Sequence, residues 1–183
     1  LISSVFHIPE RDIVKIRCLK AGMTNKSFLF RIHKESGNKD YAGKDFICRI
    51  PGVGTGKLIN RKEEEEIYRV VKDLHITEEL LYFNPENGYK ISRYYKEARN
   101  ADFGKQDERR ASMKILLKLH EGKKKVDHCF SLRERLQYYE DICLEGGGEI
   151  PYQDYEKMKS DREKMLLFTE KNASPLCLCH IDA

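Results

Sequence analysis

The sequence pattern changes near residue 95, and this change limits the chain to a fold built in two different ways. Before Tyr95, several segments alternate apolar and polar residues at the spacing of two that β-strands need. After it, apolar residues recur every three or four positions, as on the buried face of an α-helix. No uninterrupted apolar run exceeds four residues, whereas a membrane-spanning helix needs about 20. We therefore predict an α+β protein without a membrane span.

The first half predicts five strands and one inserted helix. Two of the strands are joined by the short segment Gly22-Met23-Thr24-Asn25, and Pro51-Gly52 stops the third. The predicted elements are, in order, strands at Val14–Ala21, Lys26–His33 and Asp45–Ile50, a helix at about Leu58–Leu74, and strands at Leu80–Phe83 and Tyr89–Tyr94.

The second half predicts a helical part. One helix has Met113, Leu116, Leu117 and His120 on its apolar face, with His120 as a structural residue, and two more cover Phe130–Leu144 and Tyr152–Lys171. The short apolar run Leu176–Cys179 predicts a buried strand. The order of elements is that of a kinase-like fold with two lobes, residues 1–94 and 95–183, although many unrelated α+β proteins share it.

The distribution of charges and cysteines argues against some classes of protein. The chain has 34 Lys and Arg against 30 Asp and Glu, a net charge of +4, and the two signs are interleaved. A nucleic-acid binder concentrates its positive charge, so no nucleic-acid partner is expected, and Lys123-Lys124-Lys125 is interpreted as a solvated turn. The six cysteines are scattered, which favours a reduced, cytoplasmic protein.

The glycine-rich segment Gly52–Lys57 does not form a P-loop. Only three residues separate Gly52 from Gly56, and Leu58 stands where the magnesium-binding hydroxyl would be. In Gly22-Met23-Thr24-Asn25, backbone N–H groups could approach phosphates, but an ordinary hairpin turn has the same composition.

A charged side chain, Arg49, lies inside the third predicted strand. Such a residue needs a partner or a ligand if it is buried, and a glutamate of the following helix could supply the partner. Glu63 and Glu64 flank the inner stripe of that helix, and periodicity does not choose between them. The alternative is an arginine that points to solvent.

The last residues of the sequence include a candidate general base. Asp182 follows an apolar run and could act as a general base or form a turn. Cys177, Cys179 and His180 lack the further ligands of a zinc site, so both cysteines are assigned to the core and no metal ligand is predicted.

Taken in order, these segments resemble the choline kinase family, most closely its bacterial members. The matching segments are Gly22-Met23-Thr24-Asn25, Ile50-Pro51-Gly52-Val53-Gly54-Thr55 with Ile59-Asn60-Arg61 and Glu64, Gly88–Tyr95, Leu119-His120 and His180-Ile181-Asp182. The resemblance spans nearly the whole chain and implies a protein-kinase-like fold with a five-stranded antiparallel N-lobe, which binds the nucleotide, and a mainly helical C-lobe.

The resemblance also implies roles for single residues. Gly22, Thr24 and Asn25 would form the nucleotide loop. Arg49 would contact ATP phosphates, with Glu64 paired to it, and the backbone of Ser92, Arg93 and Tyr94 would meet the adenine. Asp182 would accept the proton of the substrate hydroxyl. The family's later Asn and magnesium-binding Asp have no counterpart up to Ala183.

The resemblance therefore predicts the N-lobe and the first part of the C-lobe of a longer kinase that uses ATP and Mg²⁺. Its substrate would be a small amino alcohol, with choline preferred and ethanolamine or an aminoglycoside as alternatives. We expect residues 1–183 alone to be inactive. A different class remains open, a non-catalytic kinase-like scaffold or a basic nucleic-acid module. The sequence does not indicate an oligomeric state.

Overall fold

A computed structural model describes residues 1–19, 25–173 and 176–180 of the chain. The chain divides into two compact units. The first comprises Leu1–Lys124 and the last described residues from Cys179, and the second comprises Lys125–Leu178. The boundary between residues 94 and 95, placed from the change in sequence pattern, stays a prediction.

The first unit contains a five-stranded sheet in the order β1-β2-β3-β5-β4, and all four neighbouring pairs are antiparallel. The predicted α+β class and the helix inserted after the third strand are confirmed. The strands are β1 (Ile13–Leu19), β2 (Asn25–Ile32), β3 (Asp45–Pro51), β4 (Leu80–Phe83) and β5 (Lys90–Arg93).

One face of the sheet carries the hydrophobic core. Alternate residues of β2, β3 and β5 are buried there, because successive side chains of a strand point to opposite faces. The short helix α1 (Ile2–Phe6) packs on this face, and Phe6 is only 1% exposed. Its ring lies 4.8 Å from the ring centroid of Phe46 and 5.9 Å from that of Phe30. The sequence did not predict α1, since five residues are too few to display helical periodicity.

The opposite face of the sheet lies against α2 (Arg61–Val71). Asn60 caps this helix, because its side-chain oxygen accepts hydrogen bonds from the N–H groups of Lys62 and Glu63. The helix therefore begins three residues after the predicted Leu58, and a 3-10 turn at Thr55–Lys57 precedes it. Its fully buried residues are Arg61 and Val71, and Ile67 and Val70 are partly buried.

The helix α3 (Gln106–Glu121) follows the sheet, and its buried face differs from the prediction. Leu119 is buried, whereas Met113 and Leu117 are each 53% exposed and His120 is also exposed. Apolar residues occupy two neighbouring stripes of this helix, and periodicity does not show which stripe is covered. The interpretation of His120 as a residue on a buried helix face was wrong.

The second unit is formed by α4 (Leu132–Glu145) and α5 (Tyr155–Lys171). The buried carboxylate of Glu140 accepts hydrogen bonds from Lys159 at 3.0 Å and from Arg162. Both helices were predicted, with ends that differ by a few residues.

The predicted strand Leu176–Cys179 is not formed. Its residues are irregular, and Leu176 is 75% exposed. An apolar run alone does not make a strand, because the backbone also needs a neighbouring strand for its hydrogen bonds. The assignment of Cys177 and Cys179 to the core was also wrong, since both are exposed.

Candidate functional site

Three charged side chains meet where α2 crosses the sheet. Glu64 accepts a hydrogen bond from Nη1 of Arg49 at 2.6 Å and another from Nη1 of Arg61 at 2.7 Å. The exposed fractions of the three side chains are 14% for Arg49, 8% for Arg61 and 19% for Glu64. We call Arg49, Arg61 and Glu64 the Arg49 cluster. Two guanidinium groups face one carboxylate, so the cluster keeps one unit of positive charge.

The electrostatics of Glu64 follow from these two partners. Burial by itself would raise the pKa of this carboxyl, but the hydrogen bonds from Arg49 and Arg61 outweigh it and hold the pKa below its ordinary value. Glu64 is therefore ionised at neutral pH and fixes both guanidinium groups. Of the two glutamates that periodicity left open, the structure brings Glu64 to Arg49, as the resemblance implied.

One nitrogen of the Arg49 guanidinium has no hydrogen-bond partner among the described residues. The Nη2 of Arg49 donates to the carbonyl oxygen of Gly88 at 3.3 Å. Its Nε is buried and has no hydrogen-bond partner within the part of the chain that the structure describes. Leaving a buried donor unpaired costs about 1–3 kcal/mol. An oxyanion bound beside Arg49 would satisfy this donor and neutralise the surplus charge.

The loop around Gly88 packs tightly on the cluster. Gly88 has a φ of +71°, and a Cβ there would lie 2.7 Å from Nε of Arg61 and 2.8 Å from Cγ of Pro51. On the other side, Nη2 of Arg61 lies 3.3 Å from the hydroxyl of Thr55. The segment Pro51–Thr55 of the sequence motif thus forms one wall around the buried Arg61.

Strand register places three of the predicted site residues on one face of the sheet. Arg49 lies opposite Ser27, Asn25 lies opposite Pro51, and Ser92 lies opposite Ile47. Directly opposite residues of antiparallel strands share a face. Asn25, Arg49 and the buried Ser92 therefore lie on the face that α2 covers in part.

The residues whose backbone was predicted to meet the adenine, Ser92, Arg93 and Tyr94, differ in their contacts. The guanidinium of Arg93 lies 5.9 Å from the centroid of the Phe46 ring, on the core face. The N–H of Arg93 donates to the carbonyl of Glu79, and the N–H of Tyr94 donates to that of Asp45. Both N–H groups are thus occupied by hydrogen bonds within the protein.

Three predicted site residues, Gly22, Thr24 and Asp182, lie outside the described residues. Two others were missed as site residues, namely Arg61 and Gly88. Both stand in segments that match the choline kinase family, Arg61 directly after Asn60 and Gly88 at the start of Gly88–Tyr95. The sequence does not show that the side chain of Arg61 turns inward.

The cluster does not fit a magnesium ion. Its carboxylate already accepts from two guanidinium groups, whereas Mg²⁺ requires oxygen ligands that are free to coordinate. Over the ranges 1–19, 25–173 and 176–180, no group of three or more His, Cys, Asp or Glu side chains is placed to hold a metal ion. Within the same ranges no helix has the length and hydropathy needed to cross a bilayer.

The structure is similar to several solved kinases. Choline kinase LicA from Streptococcus pneumoniae matches with a TM-score of 0.78 and 26% identity, over 99% of this chain and 58% of that one. LicA in complex with AMP matches with a TM-score of 0.72 and 26% identity, over 93% and 55%. A choline/ethanolamine kinase family protein from Mesorhizobium loti shares the fold at 21% identity, with a TM-score of 0.64 over 92% and 52%.

This chain has the fold of the choline kinases. The resemblance seen in the sequence is thereby confirmed, and with it the protein-kinase-like fold. The chain spans little more than half the length of these structures, 58% in the case of LicA. No protein-family model matches the chain, and no curated protein does so.

Proposed function

We propose that the intact protein binds ATP on the sheet face that carries Arg49 and transfers the γ-phosphoryl group to the hydroxyl of choline. The nucleotide part of the proposal is supported by the AMP complex of LicA. The choline part is supported by the likeness to LicA over nearly the whole chain.

The observation that carries the proposal is the surplus positive charge of the Arg49 cluster together with the unpaired Nε donor of Arg49. A phosphate oxygen is the acceptor that would satisfy both, since arginine binds phosphate through its planar fork of N–H groups. Phosphoryl transfer depends mainly on positioning and on neutralising charge. The cluster offers both, because Glu64 holds the guanidinium of Arg49 in one orientation.

The remaining roles follow the family resemblance. Asn25 stands at the end of the proposed nucleotide loop, Ser92 lies on the same sheet face, and Asp182 would accept the proton of the choline hydroxyl. Mg²⁺ would add charge neutralisation at the phosphates when bound. The Arg49 cluster is not its site, because the carboxylate of Glu64 already accepts from two guanidinium groups.

The test uses the intact protein with magnesium-ATP and a panel of choline, ethanolamine and kanamycin. We expect choline to be phosphorylated with the highest kcat/KM. Phosphorylation of ethanolamine or kanamycin alone would keep the kinase chemistry and overturn the choline assignment. Absence of ATP binding would overturn the proposal as a whole and favour a non-catalytic scaffold.

A further inference from the structure

A second, half-buried polar cluster includes Tyr68, one helical turn after Glu64 on α2. The ammonium of Lys90 donates to Oε1 of Glu78 at 2.5 Å and to the hydroxyl of Tyr68 at 2.6 Å. The Tyr68 hydroxyl in turn donates to Oε1 of Glu78 at 2.9 Å. The Lys90 side chain is only 12% exposed, and its ammonium lies 4.8 Å from the centroid of the Tyr68 ring. We call Tyr68, Glu78 and Lys90 the Lys90 cluster.

The Lys90 cluster and the Arg49 cluster are joined by the strand register. Arg49 of β3 lies directly opposite Lys90 of β5. Glu64 and Tyr68 are four residues apart on α2, so they share one face of the helix. Two successive turns of α2 are therefore bound to two cross-strand neighbours of the sheet.

The ring of Phe83 packs near a residue of each cluster. Phe83 lies opposite Lys90 in the pairing of β4 with β5. The guanidinium of Arg49 lies 5.8 Å from the centroid of its ring, and the Tyr68 ring lies 6.1 Å from it. A displacement of Tyr68 would therefore be passed on through packed side chains to Arg49.

The composition of α2 explains why it needs a second attachment. Val71 is the one fully buried apolar residue of α2, and Ile67 and Val70 are only partly buried, so its apolar face is narrow and fixes the rotation of the helix weakly. The ion pair between Glu64 and Arg49 holds the helix to the sheet at one turn. The attachment at Tyr68 holds the next turn and opposes a rotation that would withdraw Glu64 from Arg49.

We propose that Tyr68 and Lys90 are positioning residues that fix α2 so that Glu64 orients Arg49 for the nucleotide. This inference rests on the proposed function of the Arg49 cluster. The charge states support it. Burial raises the pKa of the Tyr68 hydroxyl, and the negative charge of Glu78 raises it further, so the hydroxyl remains a donor. Burial would raise the pKa of Glu78, but the hydrogen bond from Lys90 outweighs this and keeps it low.

The experiment measures binding of a fluorescent ATP analogue, KM and kcat in the intact protein. Lys90→Met should weaken nucleotide affinity by about 3- to 30-fold, the range over which residues outside a site alter its binding. Tyr68→Phe should also weaken nucleotide affinity. Lys90→Arg should retain most of the wild-type affinity, because it keeps the positive charge. Tyr82→Phe is the matched control, since it removes a half-buried hydroxyl on the core face, and it should stay within about twofold.

A double-mutant cycle separates positioning from a general loss of stability. If Lys90 acts through Arg49, then Lys90→Met should weaken nucleotide binding little further in the Arg49→Ala background. Full additivity of the two effects would overturn the proposal. So would a lowered Tm with unchanged nucleotide affinity in Lys90→Met.

Hydrogen exchange provides a readout that does not depend on the nucleotide. Lys90→Met should speed the exchange of the amides of α2, residues 61–71, and leave those of α3 unchanged. Unchanged exchange in α2 would overturn the proposal even if ATP binds. If the wild type fails to bind the ATP analogue while α2 exchange responds, the proposed function fails and the second attachment of α2 stands.

Discussion

Arg49 and Lys90 lie directly opposite each other on β3 and β5, and each contacts a different turn of α2. Arg49 is bound to Glu64, and Lys90 is bound to Tyr68. The helix, which has a narrow apolar face, is thereby also attached to the sheet through half-buried polar contacts. Such contacts depend strongly on geometry, so substitutions in either cluster should affect function more than those on exposed positions of the same elements.

Replacing Arg49 by Ala should raise the KM for ATP by about 10- to 100-fold, which corresponds to losing hydrogen bonds between charged groups. Steady-state kinetics of the intact protein would measure this. Arg31→Ala is the matched control, because Arg31 forms a comparable ion pair with Asp45 elsewhere on the sheet. Equal effects of the two substitutions would argue against a phosphate contact at Arg49.

Replacing Glu64 by Gln should lower kcat and raise the KM for ATP, but less than Arg49→Ala does. The amide keeps the shape of the side chain and loses the charge that holds the two guanidinium groups. Glu65→Gln should have almost no effect, because Glu65 is exposed. The assignment would be wrong if both variants impaired the enzyme alike. Thermal melting of each variant would show whether folding is affected.

Replacing Gly88 by Ala should destabilise the fold by about 1–2 kcal/mol through its left-handed backbone alone. The added Cβ would also press on Arg61 and Pro51, so the KM for ATP should rise as well. Gly56→Ala is the control, since a Cβ at Gly56 meets nothing within 4 Å. Denaturant unfolding would measure the difference, and equal stabilities would contradict the packing around Arg61.

The stability of the second unit should fall in acid because of Glu140. Burial would raise the pKa of this carboxyl, but the Tyr155 hydroxyl and the hydrogen bonds from Arg162 and Lys159 outweigh it and lower the pKa from 4.5 to about 2. The folded state therefore stays ionised where the unfolded chain takes up a proton, so this stabilisation is complete above pH 4.5 and is lost as the pH falls towards 2. The free energy of unfolding of the Glu140→Gln variant should depend less on pH over this window than that of the wild type. Glu145 is exposed, so the Glu145→Gln variant should show the pH dependence of the wild type.

Asp182→Asn tests the residue proposed as the general base. The substitution keeps the size of the side chain and removes the proton acceptor, so kcat should fall by about 10²- to 10⁴-fold while ATP affinity changes little. Single-turnover phosphorylation and thermal melting of the same intact variant would distinguish a base from a turn residue. Turnover within about threefold of the wild type would exclude the base.

The sequence by itself determined the order and type of most elements. Alternation at a spacing of two located the strands, and apolar residues every three or four positions located α2, α4 and α5, because these periods are set by backbone geometry. The motif around Arg49 and Glu64 also indicated the choline kinase fold. The sequence did not show which glutamate meets Arg49, since both Glu63 and Glu64 flank the inner stripe of one helix.

Only the tertiary structure decided which side chains come together. Lys90 lies opposite Arg49 because of strand register, and register is set by the pairing of segments far apart in the chain. Leu119 rather than His120 is buried because packing selects one of two apolar stripes. Leu176–Cys179 remained irregular because an apolar segment becomes a strand only where another strand accepts its hydrogen bonds. Periodicity is a local property of the backbone, whereas pairing and burial depend on the whole fold.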